Sequence, residues 1–86
     1  MEEKDIRTIE SAVTVELHGY LAGLKLRPLT EADLPAQGLP VERLIFEMGI
    51  PVAAVERVVV GESLVSKKYP VKAGDKVTLF PLELDQ

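Results

Sequence analysis

The sequence predicts an α+β fold: one helix packed on one face of a mixed sheet of four to five strands. Three observations predict it. One segment, Pro40 to Pro51, carries helical periodicity, while several short segments alternate apolar and polar residues as half-buried strands do. The helix and the middle strands lie in the chain between the first strand and the last. That long connection is what two parallel neighbouring strands require.

The 86 residues suit a single domain. A chain of this size buries a modest share of its surface, so its core must be efficient. Apolar residues make up 47% of it, enough for a core without a metal or disulfide staple. There is no Cys, which removes disulfides, thiolate metal sites and thiol nucleophiles and fits a reducing cytosol. A net charge of −4 argues against nucleic acid, whose phosphates want a basic face. The Lys67-Lys68 doublet reads as a solvated turn. No apolar run is long enough to span a bilayer, and the acidic opening "MEEKDIRTIE" is unlike a signal peptide. These features give the expectation of a cytoplasmic protein.

Residues 1–12 read as a polar leader, frayed or added as an extra edge strand. In "VTVELHGYLAGL", Val13, Val15 and Leu17 alternate with Thr14, Glu16 and His18, the pattern of a half-buried strand. Leu24, Leu26 and Leu29 suggest a second strand pairing with the first as a hairpin, with Pro28 confining it to an edge. Thr30 to Gly38 reads as loop, with room for one helical turn at Thr30 to Asp33. In "LPVERLIFEMGIP", Val41, Leu44, Ile45 and Met48 fall on one face, and Glu42, Arg43 and Glu47 on the other. Pro40 suits the helix start, Gly49 a left-handed stop, and Pro51 prevents continuation. A short turn over Val52 to Val55 leads to a strand Arg57 to Val60. Gly61-Glu62 suits a two-residue type II′ turn into a return strand at Leu64-Val65. Ala73 to Lys76 is a turn, and Val77 to Phe80 a last strand closed by Pro81 and lying parallel to the first.

Four stretches in this order, "VTVELHGYLAGL", "LPVERLIFEMGIP", "VVVGESLV" and "YPVKAGDKVTLFP", resemble the ubiquitin-like β-grasp proteins of the MoaD/ThiS sulfur-carrier family. In the last stretch Tyr69, Pro70, Gly74, Asp75, Val77 and Phe80-Pro81 carry the likeness. The resemblance covers Val13 to Pro81. It implies a β-grasp domain over 13–81 and a tail over 82–86. It also implies partners of the activating-enzyme or synthase-subunit kind. Gly61-Glu62 departs from the family's Asn-Gly hairpin turn but keeps a turn.

The tail departs further. Family carriers end in Gly-Gly, whose lack of Cβ lets the terminus thread into a partner's active site for adenylation and thiocarboxylate formation. Here Leu82-Glu83-Leu84-Asp85-Gln86 follows Pro81, so Asp85 and Gln86 stand in the glycine places. The expectation is therefore a non-enzymatic interaction module. The alternative is a sulfur carrier for molybdopterin, tungstopterin or thiamine biosynthesis with a non-standard terminus.

No catalytic, cofactor or metal site is expected. His18, on the polar side of its strand, has no Ser or Cys partner in the pattern. Glu2-Glu3 and Glu83 with Asp85 sit near the ends, without burial to tune them. Glu31 and Asp33 offer too few oxygens for calcium. If Val77 and Leu79 face the helix, Phe80 faces outward; likewise Val58 and Val60 face in and Val59 out. Val59, Phe80 and Leu82 then form an apolar patch on the open sheet face. With Pro81, Leu84 and Gln86 they are the expected protein-docking residues, with no role for nucleic acid or membrane. The competing reading is that the leader covers the patch through Ile6 or Ile9.

Overall fold

The structure is a computed structural model that describes residues 6–82. Its main sheet has five strands: β1 (Ile6–Ile9), β2 (Thr14–His18), β4 (Val55–Val60), β5 (Ser63–Val65) and β7 (Lys76–Pro81). Their order is β1-β2-β7-β4-β5. A two-residue ladder joins β3 (Leu39–Pro40) to β6 (Pro70–Val71) beside the single helix, α1 (Val41–Glu47).

The centre of the sheet is the parallel pair of β2 and β7, which places Val15 beside Val77 and Leu17 beside Leu79. All other neighbours in the sheet are antiparallel. The expected parallel pairing of first and last core strands is thus present, and so is the mixed sheet. The alternation that predicts β2 and β7 has its cause in burial. Val13, Val15, Leu17, Val77 and Leu79 turn toward α1 and are almost wholly buried. There they meet Val41, Leu44, Ile45 and Met48 in one continuous core. Fully burying a side chain such as Leu44 is worth about 1.5–3 kcal/mol, which is how a seven-residue helix, too short to be stable alone, is held.

Both helix ends are closed by neighbouring backbone. Pro40 is the cap residue and offers no side-chain hydrogen bond. Instead the amides of Val41 and Glu42 donate to the carbonyls of Tyr69 (3.0 Å) and Lys67 (2.8 Å), using donors that every helix start leaves open. At the other end Gly49 takes φ +91°, while Gly49 N and Ile50 N donate to the carbonyls of Phe46 and Ile45. This is the paired C-terminal closure that a left-handed glycine permits. In the β4–β5 turn Gly61 has φ +63° and Glu62 a negative φ, as the type II′ expectation requires.

Two expectations are decided. First, 24–29 is not a strand. Leu29 is buried and Leu24 and Leu26 half-buried, yet the segment makes no ladder. The position beside β2 is taken by β1, and 24–29 is held by isolated bonds: Ala12 N to Leu29 O (3.4 Å) and Arg27 N to Met48 O (3.1 Å). Second, the leader adds a strand, the second of its two expected outcomes. Arg7 fastens it by donating to Leu24 O at 2.8 Å and Ala22 O at 3.4 Å. Beyond β2, His18 is followed by a 3₁₀ turn, Gly19–Gly23, which buries Leu21.

Candidate functional site

Among the described residues, nothing packs over the face of the sheet away from α1. In-register pairs share a face, so the pairing assigns its residues. Thr8, Glu16, Thr78, Val59 and Leu64 form one row across all five strands. Ile6 and His18 pair in the next row, as do Phe80 and Arg57. Phe80 is its centre. The His18 ring lies 4.6 Å away between centroids at a 37° tilt, and the Arg57 guanidinium carbon sits 5.3 Å from the Phe80 centroid on the ring face. Both geometries suit attraction to an aromatic face.

Glu16 ties this row to the next. His18 Nε2 lies 2.7 Å from Glu16 Oε2, and Lys76 Nζ lies 3.3 Å from Glu16 Oε1. The hydrogen bond from His18 is the main reason the Glu16 carboxyl titrates below the ordinary carboxylate range. Partial burial opposes the shift, and Lys76 adds to it.

Phe80 faces outward and is half-buried, and Val59 lies diagonal to it, as alternation predicts. The patch is not purely apolar, however: His18, Arg57 and Thr78 are set among Val59, Leu64 and Phe80. Leu82, 39% exposed, follows at the strand end. Pro81 differs from its expected role. It is buried, because it keeps the inward phase of Val77 and Leu79 and packs on Gly19. A Cβ built at Gly19, where φ is +62°, would stand 2.8 Å from Pro81 Cγ. Pro81 is therefore no member of the face. Leu84 and Gln86 lie outside the described residues. Ile6 sits at the edge of the sheet beside His18, and Ile9 packs toward the core, so β1 widens the sheet and does not lie across Phe80.

The chain leaves the face along a fixed path. Leu82 N donates to Ala54 O at 2.8 Å, and the Tyr20 hydroxyl donates to Leu82 O at 2.9 Å. Tyr20, Arg57 and His18 all shape this end of the molecule, and sequence reasoning singled out none of them as partner-binding. The signal for Arg57 and His18 is their strand phase, shared with Phe80 once the register is known.

The other candidate groups have structural employment. Asp33 accepts from Thr30 N (2.8 Å) and Thr30 Oγ1 (3.2 Å) in a capping box and lies 3.5 Å from Arg27. The Thr30 backbone bond chiefly holds its carboxyl below the ordinary range. Lys67 Nζ donates to Val52 O, and Lys68 lies 3.8 Å from Glu42. No described helix is long and apolar enough to cross a membrane. Phe46 on α1 is 64% exposed beside Arg43 and lines a shallow groove with Pro40, Glu42 and Val52. The chain matches no family model, no curated protein and no solved structure.

Proposed function

We propose that this chain is a non-enzymatic, ubiquitin-like β-grasp protein of the MoaD/ThiS type that docks a protein partner through its outer sheet face. The single observation that carries the docking reading is Phe80. It is an aromatic side chain at the centre of a sheet face that no described residue covers, held in place by His18 and Arg57. Ordered aromatics flanked by an Arg are the residue types that dominate interface energetics. A β-grasp arrangement is supported by the parallel central pair with antiparallel neighbours and one helix over one face. It differs from the hairpin that Leu24, Leu26 and Leu29 suggest in one respect: the strand beside β2 precedes it in the chain. On this reading the docking residues are Val59, Phe80 and Leu82, joined by Arg57, His18 and Leu64.

The test compares proteins retained from host extract by the wild-type chain with those retained by Phe80→Asp and Phe46→Asp. The expected result is a partner lost with Phe80→Asp and kept with Phe46→Asp, both variants remaining folded by circular dichroism. Loss with Phe46→Asp alone moves the site to the helix. An unfolded Phe80→Asp means that Phe80 belongs to the core. The carrier alternative has its own readout: intact mass after incubation with a cognate activating enzyme, ATP and a sulfur donor. Exchange of one oxygen for sulfur on the native chain establishes the carrier.

A further inference from the structure

We infer that the segment docking on this face is acidic and apolar: aliphatic side chains over Phe80, Val59 and Leu64, with a carboxylate on Arg57. The inference rests on the docking reading above and names the chemistry of its partner.

It starts from where the charge lies. The chain carries −4 overall. Lys4 against Glu2, Glu3 and Asp5 leaves two negative charges before Ile6, and Glu83 with Asp85 adds two after Leu82. The described body between them is therefore neutral in sum, but its charge is not evenly spread. The outer face holds Arg57, His18 and Lys76, the last paired with Thr14 in the row beyond Glu16, against one carboxylate, Glu16. Both oxygens of that carboxylate are engaged, one by His18 and one by Lys76. Among the described residues no carboxylate lies within ion-pair distance of Arg57, although Glu56 precedes it in the chain. Among the described residues, with His18 counted neutral, the face thus holds two cations against one acid.

The geometry of Arg57 narrows the chemistry. Its guanidinium carbon lies over the Phe80 ring, 5.3 Å from the centroid, and the residue is exposed, which leaves the group accessible to a ligand. A guanidinium takes a carboxylate through paired, charge-assisted bonds and is at its strongest where water is excluded. Val59 and Leu64 are adjacent in register, and Leu64 is 67% exposed, which supplies an aliphatic floor beside that charge. One such cation on a neutral body is a poor match for a phosphate polymer, which binds by neutralising many charges at once. An acidic stretch carrying Leu or Ile matches both halves of the surface.

The test uses isotope-labelled protein and three probes: a blocked peptide alternating Leu and Glu, its Leu/Lys counterpart, and oligo-dT. The expected result is that the Leu/Glu peptide alone shifts the amide signals of Arg57, Val59, Thr78 and Phe80, and that added salt weakens it. Arg57→Glu should weaken that binding about tenfold or more, the scale of losing one charge-assisted pair. Arg57→Gln keeps much of the side chain's reach and gives the same sign if the reversal disturbs the fold. Glu16→Gln should tighten binding about two- to fivefold by removing the face's one acid, since an exposed charge is worth at most roughly this much. Preference for the Leu/Lys peptide or for oligo-dT overturns the inference, as does absence of shifts on this face. If Phe80→Asp abolishes peptide binding while the Arg57 variants leave it unchanged, the face docks but its partner is not acidic. If Phe80→Asp also leaves binding intact, the docking reading itself fails.

Discussion

The two faces of the sheet are built from the same strands, residue against residue, by different rules. On the helix side, Val15, Leu17, Val77 and Leu79 are all aliphatic and almost fully buried, and each is interchangeable in kind with its neighbours. On the outer side their alternates are Thr14, Glu16, His18, Lys76, Thr78 and Phe80, mostly half-buried and joined by particular contacts. The inner face is specified by how much it is removed from water. The outer face is specified by which side chain stands beside which. Stability therefore resides mainly on one side, and the other is free to carry recognition.

The comparison breaks if substitutions on the two sides cost alike. The largest loss is expected at Leu44, fully buried against the sheet. Leu44→Ala should cost about 2–5 kcal/mol in denaturant unfolding, and a loss under about 1 kcal/mol would mean the helix face is misassigned. Next comes Gly19→Ala, at a residue with φ +62° and with the rigid Pro81 ring in the path of a Cβ. A cost of about 1–3 kcal/mol is expected from that strain, read as a lowered unfolding midpoint. On the outer face a smaller and pH-dependent effect is expected. Glu16 has its carboxyl lowered in the fold, so the stability it contributes is full above its ordinary value of 4.5 and lost as pH falls through the lower folded value. Glu16→Gln should flatten that acid limb; an unchanged limb would show that Glu16 does not shape it. The smallest effect belongs to Arg43→Ala. This breaks an exposed i,i+4 pair with Glu47 at 2.9 Å and should cost about 0.3–0.5 kcal/mol.

The same difference explains what the sequence disclosed. Periodicity reports burial, so the face of α1, the phase of β2 and β7, the stop at Gly49 and the turn at Gly61 were all legible from residue types. Parity also carried the inward position of Pro81, which shares the phase of Val77 and Leu79; its expected place in a docking surface overlooked that signal. Phe80 facing outward was legible for the same reason. Its partners were not. Arg57 meets Phe80 through the same β4–β7 register that sets Val58 opposite Leu79, and no local pattern reports a register across distant strands. Nor could periodicity separate β1 from 24–29 as the neighbour of β2. The leucines of 24–29 look more strand-like than "IRTI", yet it is "IRTI" that pairs with β2, with Arg7 reaching the carbonyls of Ala22 and Leu24.

The parallel pairing of β2 and β7 also has a mechanical consequence. A chain pulled by its two ends loses β1 first, because Ile6 lies beside His18 and the antiparallel pair unzips bond by bond. The load then falls on Thr14 at one end of β2 and Pro81 at the opposite end of β7. These neighbours run the same way, so tension slides one along the other and strains their hydrogen bonds together. The domain should therefore yield to force in two steps, an early weak one and a later strong one.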